Sequence, residues 1–200
     1  MNAAAADARQ HILDVARPLM LGRGFTAVGL TELLSSAGVP KGSFYHYFAS
    51  KEAFGQALLD AYFSEYLAHL DDMLARPGTA AERLMGYWRF WLDSHDGQAP
   101  DCQCLAVKLG AEVSDLSESM RATLSRGIDG IVQRLARCIA DGQAEGSLPA
   151  SADPQTLASS LYQAWFGATL LVKITRQRAP LDAAMATTRQ LLRVDDDVVT

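Results

Sequence analysis

Apolar residues recur at helical spacing through almost the whole of the 200-residue chain, and this periodicity constrains the fold more than any other feature. The sequence has no run of alternating β-branched residues and no Asn-Gly or Asp-Gly turn followed by a strand pattern. The pattern therefore predicts an all-α protein of about nine to ten helices. The predicted helices cover approximately residues 7–22, 31–37, 41–47, 51–74, 80–95, 101–114, 117–145, 154–176 and 181–193.

Glycine, proline and small polar residues mark the ends of the first predicted helices. Pro18 lies inside the first helix and predicts a kink or a local break there. Gly22 and Gly24 are expected to end that helix. Thr31 is expected to cap the start of the second helix, and Gly38 to end it in a left-handed conformation.

The composition is that of a globular protein, with 49% hydrophobic and 20% charged residues. The longest apolar stretch, near residues 164–172, is far shorter than the roughly 20 residues of a membrane span, so no membrane partner is expected. The N-terminal sequence MNAAAADARQ lacks the basic region and apolar core of a secretory signal. Three cysteines argue against a disulfide scaffold and favour a reducing cytoplasm.

The net charge of −5 is unevenly distributed along the chain. Residues 1–53 contain five basic and four acidic residues, whereas residues 54–200 contain 13 basic and 19 acidic residues. The sequence therefore predicts a near-neutral head and an acidic body. Such an asymmetry is compatible with a nucleic-acid-binding head.

Residues 31–47 form a candidate helix-turn-helix, because two short predicted helices meet at a turn of three to four residues that contains Gly38. The second of these helices presents side chains suited to phosphates and to base edges in a major groove: Lys41, Ser43, Tyr45 and His46. Lys51, in the first turn of the following helix, lies near enough to reach the DNA backbone. From spacing alone, an ordinary helical hairpin of a bundle remains an alternative.

The stretch GFTAVGLTELLSSAGVPKGSFYHYFASKEAF, residues 24–54, resembles the DNA-binding signature of the TetR family of bacterial repressors. The resemblance implies an all-helical homodimer in the bacterial cytoplasm, associated with the nucleoid through a palindromic operator. A three-helix domain over residues 1–53 would bind this DNA, and a helical bundle over residues 54–200 would bind an inducer and dimerise.

The resemblance also implies roles for individual residues of the head. The positions that match the family's recognition helix are Lys41, Gly42, Ser43, Tyr45 and His46. Lys51 matches a phosphate contact, and Thr31 could cap its helix, touch a phosphate or do both. Phe44, Tyr47 and Phe48 have apolar spacing and are expected in the core. The arginine-rich arm of many relatives is absent before the first helix, which predicts a modest salt dependence of DNA binding.

Cys104 is the candidate sensing residue of the body. It is expected in the first turn of the helix over 101–114, where the helix dipole favours a thiolate, and Lys108 follows on the same face. Asp101 opposes both effects. A small buried hydrophobic cysteine is the alternative. The pair Cys104-Leu105, followed by Leu109-Gly110 and Glu112, also resembles a branch of the family that senses electrophiles or unsaturated carbonyl compounds. In this chain Gln103 stands where that branch has glycine, and Cys102 is an additional cysteine.

Other interpretations of the cysteines and aromatic residues are kept open. A Cys102–Cys104 disulfide would close a strained ring, and a metal site would need further ligands beside this pair, so no metal or cofactor is predicted. Cys138 is expected in the core. Trp88 and Trp91 are expected to pack in the core, and they could also line an effector pocket.

Three functions of different classes follow from these residues. The first is a repressor that a small molecule or a reactive electrophile releases from its operator, with Cys104 as the candidate trigger. The second is a thiol-dependent enzyme, although the sequence has no Cys-x-x-Cys, no glycine-rich phosphate loop after a strand and no clear base beside Cys104. The third is a helical protein-interaction module that does not bind DNA. The resemblance favours the first and predicts no enzymatic activity.

Overall fold

The computed structural model describes residues 3–94 and 104–194, and their side chains from Asp7 onward. Within these ranges the chain forms nine α-helices and no strand, in agreement with the all-α prediction. The helices are α1 (Ala3–Arg23), α2 (Leu30–Ala37), α3 (Lys41–Tyr47), α4 (Lys51–Leu74), α5 (Ala80–Asp93), α6 (Leu105–Leu116), α7 (Glu118–Glu145), α8 (Pro154–Thr175) and α9 (Ala179–Leu192). Cys102 lies outside the described residues.

One predicted helix cap in the head is wrong, whereas the predicted end of the first helix is confirmed to within one residue. Helix α1 runs through both Pro18 and Gly22, and it ends before Gly24, whose φ of 92° is left-handed. The N-cap of α2 is Gly29, and Thr31 lies inside the helix as an exposed residue. Thr31 therefore does not cap α2. The predicted stop at Gly38 is confirmed by its φ of 64°.

Helix α6 begins later than the sequence pattern predicts. Cys104 is its N-cap residue and has extended backbone angles, so the thiol does not lie in the first helical turn. Its carbonyl accepts the amide of Lys108 at 3.1 Å. The thiol thus stands at the point where the chain enters α6.

Side-chain caps explain why three other helices begin where they do. The Ser50 hydroxyl accepts the amide of Ala53 at 3.0 Å at the start of α4. Thr79 and Glu82 form a reciprocal capping box at the start of α5. Asp153 caps α8, with proline in the first turn, where a missing amide proton costs nothing.

The chain divides into two compact units, residues 1–65 with 103–127 and residues 66–102 with 128–200. The first unit contains the predicted DNA-binding head together with the start of α4, helix α6 and the start of α7. The predicted functional boundary at residues 53 and 54 falls inside α4 and stays a prediction.

An aromatic cluster forms the core of the head. Phe44, Phe48 and Phe54 are each almost fully buried, and their ring centroids lie 5.2–5.7 Å apart. Phe44 and Phe48 are therefore core residues, as predicted. Tyr47, for which the spacing also predicts a core position, is only half-buried. The buried face of α3 fixes which of its other residues point outward.

Three tryptophans form the core of the second unit. Trp88 and Trp165 are stacked at 5.1 Å with an interplanar angle of 15°, and Trp91 stacks on Trp88 at 5.8 Å. The indole of Trp165 donates to Thr188 at 2.8 Å. Helices α8 and α9 pack together in this unit, and α5 also contacts α9.

Gly127 and Gly130 permit a close approach of α7 to α4 of the same chain. A Cβ atom at Gly127 would collide with the ring of Phe63, and one at Gly130 would lie 3.1 Å from Leu67. Both glycines therefore face α4 of the same chain.

We expect Gly127→Ala to lower the free energy of unfolding by about 1–3 kcal/mol, because the ring of Phe63 must move to accept the new methyl group. Gly86→Ala is the matched control, since Gly86 is also inside a helix but has no atom near the added Cβ. That control should gain up to about 1 kcal/mol from helix propensity. Urea unfolding followed by circular dichroism measures both, and a gain in both variants would contradict the close approach.

Candidate DNA-binding and thiol sites

Helix α3 presents one polar face to solvent. Lys41, Gly42, Tyr45 and His46 are exposed, with 51% of Tyr45 accessible, and Ser43 is half-buried. A Cβ at Gly42 would meet no other atom, so the backbone is open to an approaching partner there. The residues that the sequence analysis assigned to the recognition helix thus lie on one exposed side of α3. Their contacts with DNA stay a prediction.

Lys51 holds the backbone of the turn between α1 and α2. Its Nζ donates to the carbonyls of Phe25 at 2.9 Å and Val28 at 2.7 Å, and it lies 4.8 Å from the centroid of the Phe25 ring. Burial lowers the pKa of Lys51, and the nearby charge of Glu112 partly offsets that effect. A phosphate contact by Lys51 stays a prediction, and the structure adds this second role.

Glu112, on α6, holds the amides of the same turn. The amide of Phe25 donates to Oε2 at 3.0 Å, and the amide of Thr26 donates to Oε1 at 2.5 Å. Burial raises the pKa of Glu112, but the hydrogen bonds from Thr26 and Phe25 and the charge of Lys108 outweigh it, so the pKa lies below the ordinary value of 4.5. The carboxylate is therefore ionised at neutral pH.

Cys104 is buried, with 7% of its surface accessible. The hydroxyl of Tyr62, on α4, donates to its sulfur at 3.6 Å. A hydrogen bond to sulfur stabilises the thiolate more than the thiol, because the thiolate carries the negative charge. The hydroxyl therefore stands where it could support a nucleophilic sulfur.

The expected pairing of Lys108 with Cys104 is not the contact that the structure shows. Lys108 Nζ donates to the carbonyl of Gly22 at 3.3 Å, and its charge acts on Glu112. The side chain extends toward the end of α1 because Gly22 is there to accept its hydrogen bond. Lys108 thus belongs with the residues that hold α6 to the head.

The two tryptophans proposed for the effector pocket are core residues. Trp88 is fully buried and 4% of Trp91 is exposed. The indole of Trp91 donates to Thr169 at 3.0 Å, whereas the indole nitrogen of Trp88 has no hydrogen-bond partner among the described residues. A role for either ring in effector binding stays a prediction.

Cys138 is a buried core cysteine, as predicted. It is 4% exposed, and its sulfur lies 3.7 Å from the carbonyl oxygen of Ala80. Burial raises the pKa of its thiol, and the nearby Arg83 only partly offsets this. Within residues 3–94 and 104–194, no group of three or more His, Cys, Asp or Glu side chains could hold a metal ion. No helix in the same ranges is long and apolar enough to span a membrane.

Sequence reasoning misses the roles of both Tyr62 and Glu112. Tyr62 fits the buried stripe of α4, and because it precedes Cys104 by 42 residues, no periodic signal indicates their contact. Glu112 acts on amides 86 and 87 residues earlier in the chain. A single carboxylate in a helical pattern is usually a solvated residue, so its contact with the turn could not be anticipated.

Two models of known protein families match this chain, one in its N-terminal part and one in its C-terminal part. A family model described as "Bacterial regulatory proteins, tetR family" matches residues 12–58, and one described as "Tetracyclin repressor-like, C-terminal domain" matches residues 80–188. The first contains the helix-turn-helix, and the second begins with α5 and includes most of α9.

The similarity to individual proteins extends over nearly the whole chain. The HTH-type transcriptional repressor NemR of Escherichia coli K12 is 40% identical over 187 residues, covering 93% of this chain and 94% of NemR. The HTH-type transcriptional repressor DhaR of Mycobacterium sp. strain GP1 is 35% identical over 175 residues, covering 87% of this chain and 86% of DhaR. The crystal structure of the reduced form of E. coli NemR superposes with a TM-score of 0.89 at 41% identity, covering 95% of this chain and 99% of that one.

We expect Lys51→Met to lower the free energy of unfolding by about 2 kcal/mol, because two carbonyls of the turn lose a charged donor. Lys108→Met is the matched control, with the same loss of charge but one longer hydrogen bond to Gly22. Its cost should stay below about 1 kcal/mol. Chemical unfolding of the wild type and the two variants measures these free energies. Equal losses of unfolding free energy in the two variants would contradict the special role of Lys51.

Proposed function

The chain belongs to the tetR family of bacterial regulatory proteins, and from this premise we propose that a reactive electrophile releases it from operator DNA by modifying Cys104. As a member of that family the chain is a DNA-binding transcriptional repressor, not an enzyme; it acts as a homodimer and responds to a small-molecule inducer. The proposal adds the chemical class of the inducer, the residue that reacts and the residues that contact DNA. It also assigns the protein to the bacterial cytoplasm, on the nucleoid.

The exposed face of α3 supports the DNA-binding part of the proposal. Tyr45 would donate to a phosphate, and Lys41 and His46 would reach phosphates or base edges. Gly42 would let the backbone approach the groove closely. In a dimer, two such helices must lie roughly 34–36 Å apart to occupy half-sites one helical turn apart on a palindromic operator.

An apolar stripe on α8 supports a dimer surface. Leu170, Leu171 and Ile174 are 45%, 48% and 67% exposed, and they lie at helical spacing on one side of the helix. Gly167, one turn earlier, has no atom near the position that a Cβ would take, which leaves room for another helix. Exposed apolar side chains grouped in this way are typical of a surface covered by a second subunit.

The hydrogen bond from Tyr62 to Cys104 is the single observation that carries the chemical part of the proposal. We infer that the thiolate adds to the β-carbon of an unsaturated carbonyl compound, which forms a carbon–sulfur bond and breaks the carbon–carbon π bond. The electron pair moves to the α-carbon as an enolate. The proton that the thiol released to water returns from water to that carbon, so the reaction needs no oxidant or cofactor.

We expect Lys41→Ala to weaken operator binding and to reduce the slope of log K against log salt by about 0.9 for each lysine, hence by roughly 2 in the dimer. Arg137→Ala is the control, since it removes an exposed charge from α7. Fluorescence anisotropy on DNA from the intergenic region beside the protein's own gene measures both slopes. If the salt slope of Lys41→Ala equals that of the wild type, Lys41 does not contact a phosphate.

We expect an acrylate-type carbonyl to weaken operator binding of the wild type by about 5- to 150-fold, the usual range of coupling between two sites. Cys104→Ser should keep its operator under the same treatment, because a hydroxyl is a poor nucleophile at neutral pH. Tyr62→Phe should react several-fold more slowly at Cys104, since the sulfur loses its donor. Release of the serine variant at the wild-type rate would assign the trigger to another thiol or to a non-covalent pocket.

A further inference from the structure

Glu112, on α6, contacts the turn before α2, and its carboxylate has no part in the DNA contacts or the thiol chemistry proposed above. Glu112 accepts the amides of Phe25 and Thr26, and both groups lie within the first compact unit. Gly24, immediately before them, permits this approach: an added Cβ would lie 2.9 Å from Glu112 Oε2, and its φ of 92° is left-handed. The turn is therefore built to receive this carboxylate.

Addition of a substituent to Cys104 requires α6 or its neighbours to move. The sulfur belongs to a residue that is 7% exposed, and it lies beside the hydroxyl of Tyr62. Leu105 and Ala106, which follow it, are also buried. Because protein interiors are close-packed, we infer that several atoms added at this buried sulfur displace the residues packed against it.

Helix α6 is the element that can carry such a displacement. It has 12 residues, and Glu112 lies eight residues after Cys104, which is roughly 12 Å along a helix. The intrahelical hydrogen bonds make a short helix move as one body, so a shift at the N-cap reaches Glu112. Lys108, between the two, contacts the end of α1 through Gly22.

The turn that Glu112 holds leads directly into the DNA-binding helices. Val28 is fully buried in the head, and α2 begins two residues later. Lys51 holds the carbonyls of Phe25 and Val28 from the start of α4. Glu112 and Lys51 thus fix the amides and the carbonyls of the turn, with α6 supplying the negative charge and α4 the positive one.

We propose that Glu112 is the positioning residue that transmits the state of Cys104 to the recognition helix, through its two hydrogen bonds to the turn before α2. This inference rests on the proposed function, in which modification of Cys104 releases the operator. In this role Glu112 acts on the amides of the turn and not directly on DNA or the inducer. Its role is to make the position of the head depend on the position of α6.

The test compares operator binding before and after modification in the wild type, in Glu112→Gln and in Glu118→Gln. The probe is N-ethylmaleimide, an unsaturated carbonyl compound, and peptide mass spectrometry measures its addition at Cys104. Glu118 is the matched control, because its carboxylate on α7 pairs with Arg121 of the same helix. The quantity of interest is the ratio of the operator Kd after modification to the Kd before it.

The operator Kd should rise by the same factor, about 5- to 150-fold, when the wild type and Glu118→Gln are modified. In Glu112→Gln this factor should be below about twofold. The rate of Cys104 modification should stay within about twofold in all three, because Glu112 does not contact the thiol. A purely structural role for Glu112 would weaken both binding states alike and leave the ratio unchanged. An unchanged ratio in Glu112→Gln, or an equal loss in Glu118→Gln, overturns the inference.

A second variant keeps the test decisive where the glutamine variant fails to fold. Glu112→Asp retains the charge, but its side chain is one methylene shorter and cannot reach both amides in the same geometry, so its ratio should also fall. If the ratio of operator Kd values in Glu112→Asp equals that of the wild type, the inference about Glu112 is overturned, whereas the proposed function is unaffected. If the wild type keeps its operator when Cys104 is fully modified, the proposed function fails, and the inference fails with it because there is no signal to transmit.

Discussion

The turn between α1 and α2 is held by two opposite charges that come from different helices. Such a turn carries amides and carbonyls that no helix satisfies, and each one left unpaired in a partly buried place costs free energy. Glu112 accepts two of the amides and Lys51 donates to two of the carbonyls. Because these charges belong to α6 and α4, the DNA-binding helices are not an independent module. Their position depends on two helices that also border the thiol, since Tyr62 lies on α4 and Cys104 caps α6.

Local signals in the sequence are sufficient to predict most of the fold. Gly38 ends α2 because glycine adopts a left-handed conformation without strain, and the apolar spacing of Phe44 and Phe48 fixes the buried face of α3. The predictions fail where a neighbouring residue competes for the cap position of a helix, or where the partner of a side chain is distant in the sequence. Gly29 rather than Thr31 occupies the cap of α2, and Cys104 occupies a cap position for which its residue type gives no signal.

The candidate site could be predicted only in part, for the same reason. The exposed face of α3 follows from periodicity within seven residues. Tyr62 lies 42 residues from Cys104, and Glu112 lies 87 residues from Phe25 of the α1–α2 turn; no local pattern encodes such contacts. The same limitation applies to Lys108, which helical spacing pairs with Cys104, whereas its ammonium reaches the carbonyl of Gly22 instead.

The hydrogen-bond partners of Cys104 and Cys138 differ, although both residues are nearly inaccessible. Cys138 meets a backbone carbonyl, which is an acceptor, and burial raises the pKa of its thiol. Cys104 accepts a hydrogen bond from the hydroxyl of Tyr62, and it is the N-cap residue of a helix that reaches the DNA-binding head.

Hydrogen exchange of the Phe25 and Thr26 amides in the dimer, before and after stoichiometric modification of Cys104, tests this account most directly, because exchange reports local opening. The account predicts that both amides exchange at least about tenfold faster after modification, while the amide of Glu82 in the α5 capping box is unchanged. Unchanged exchange of Phe25 and Thr26 in a protein that has lost its operator would contradict it.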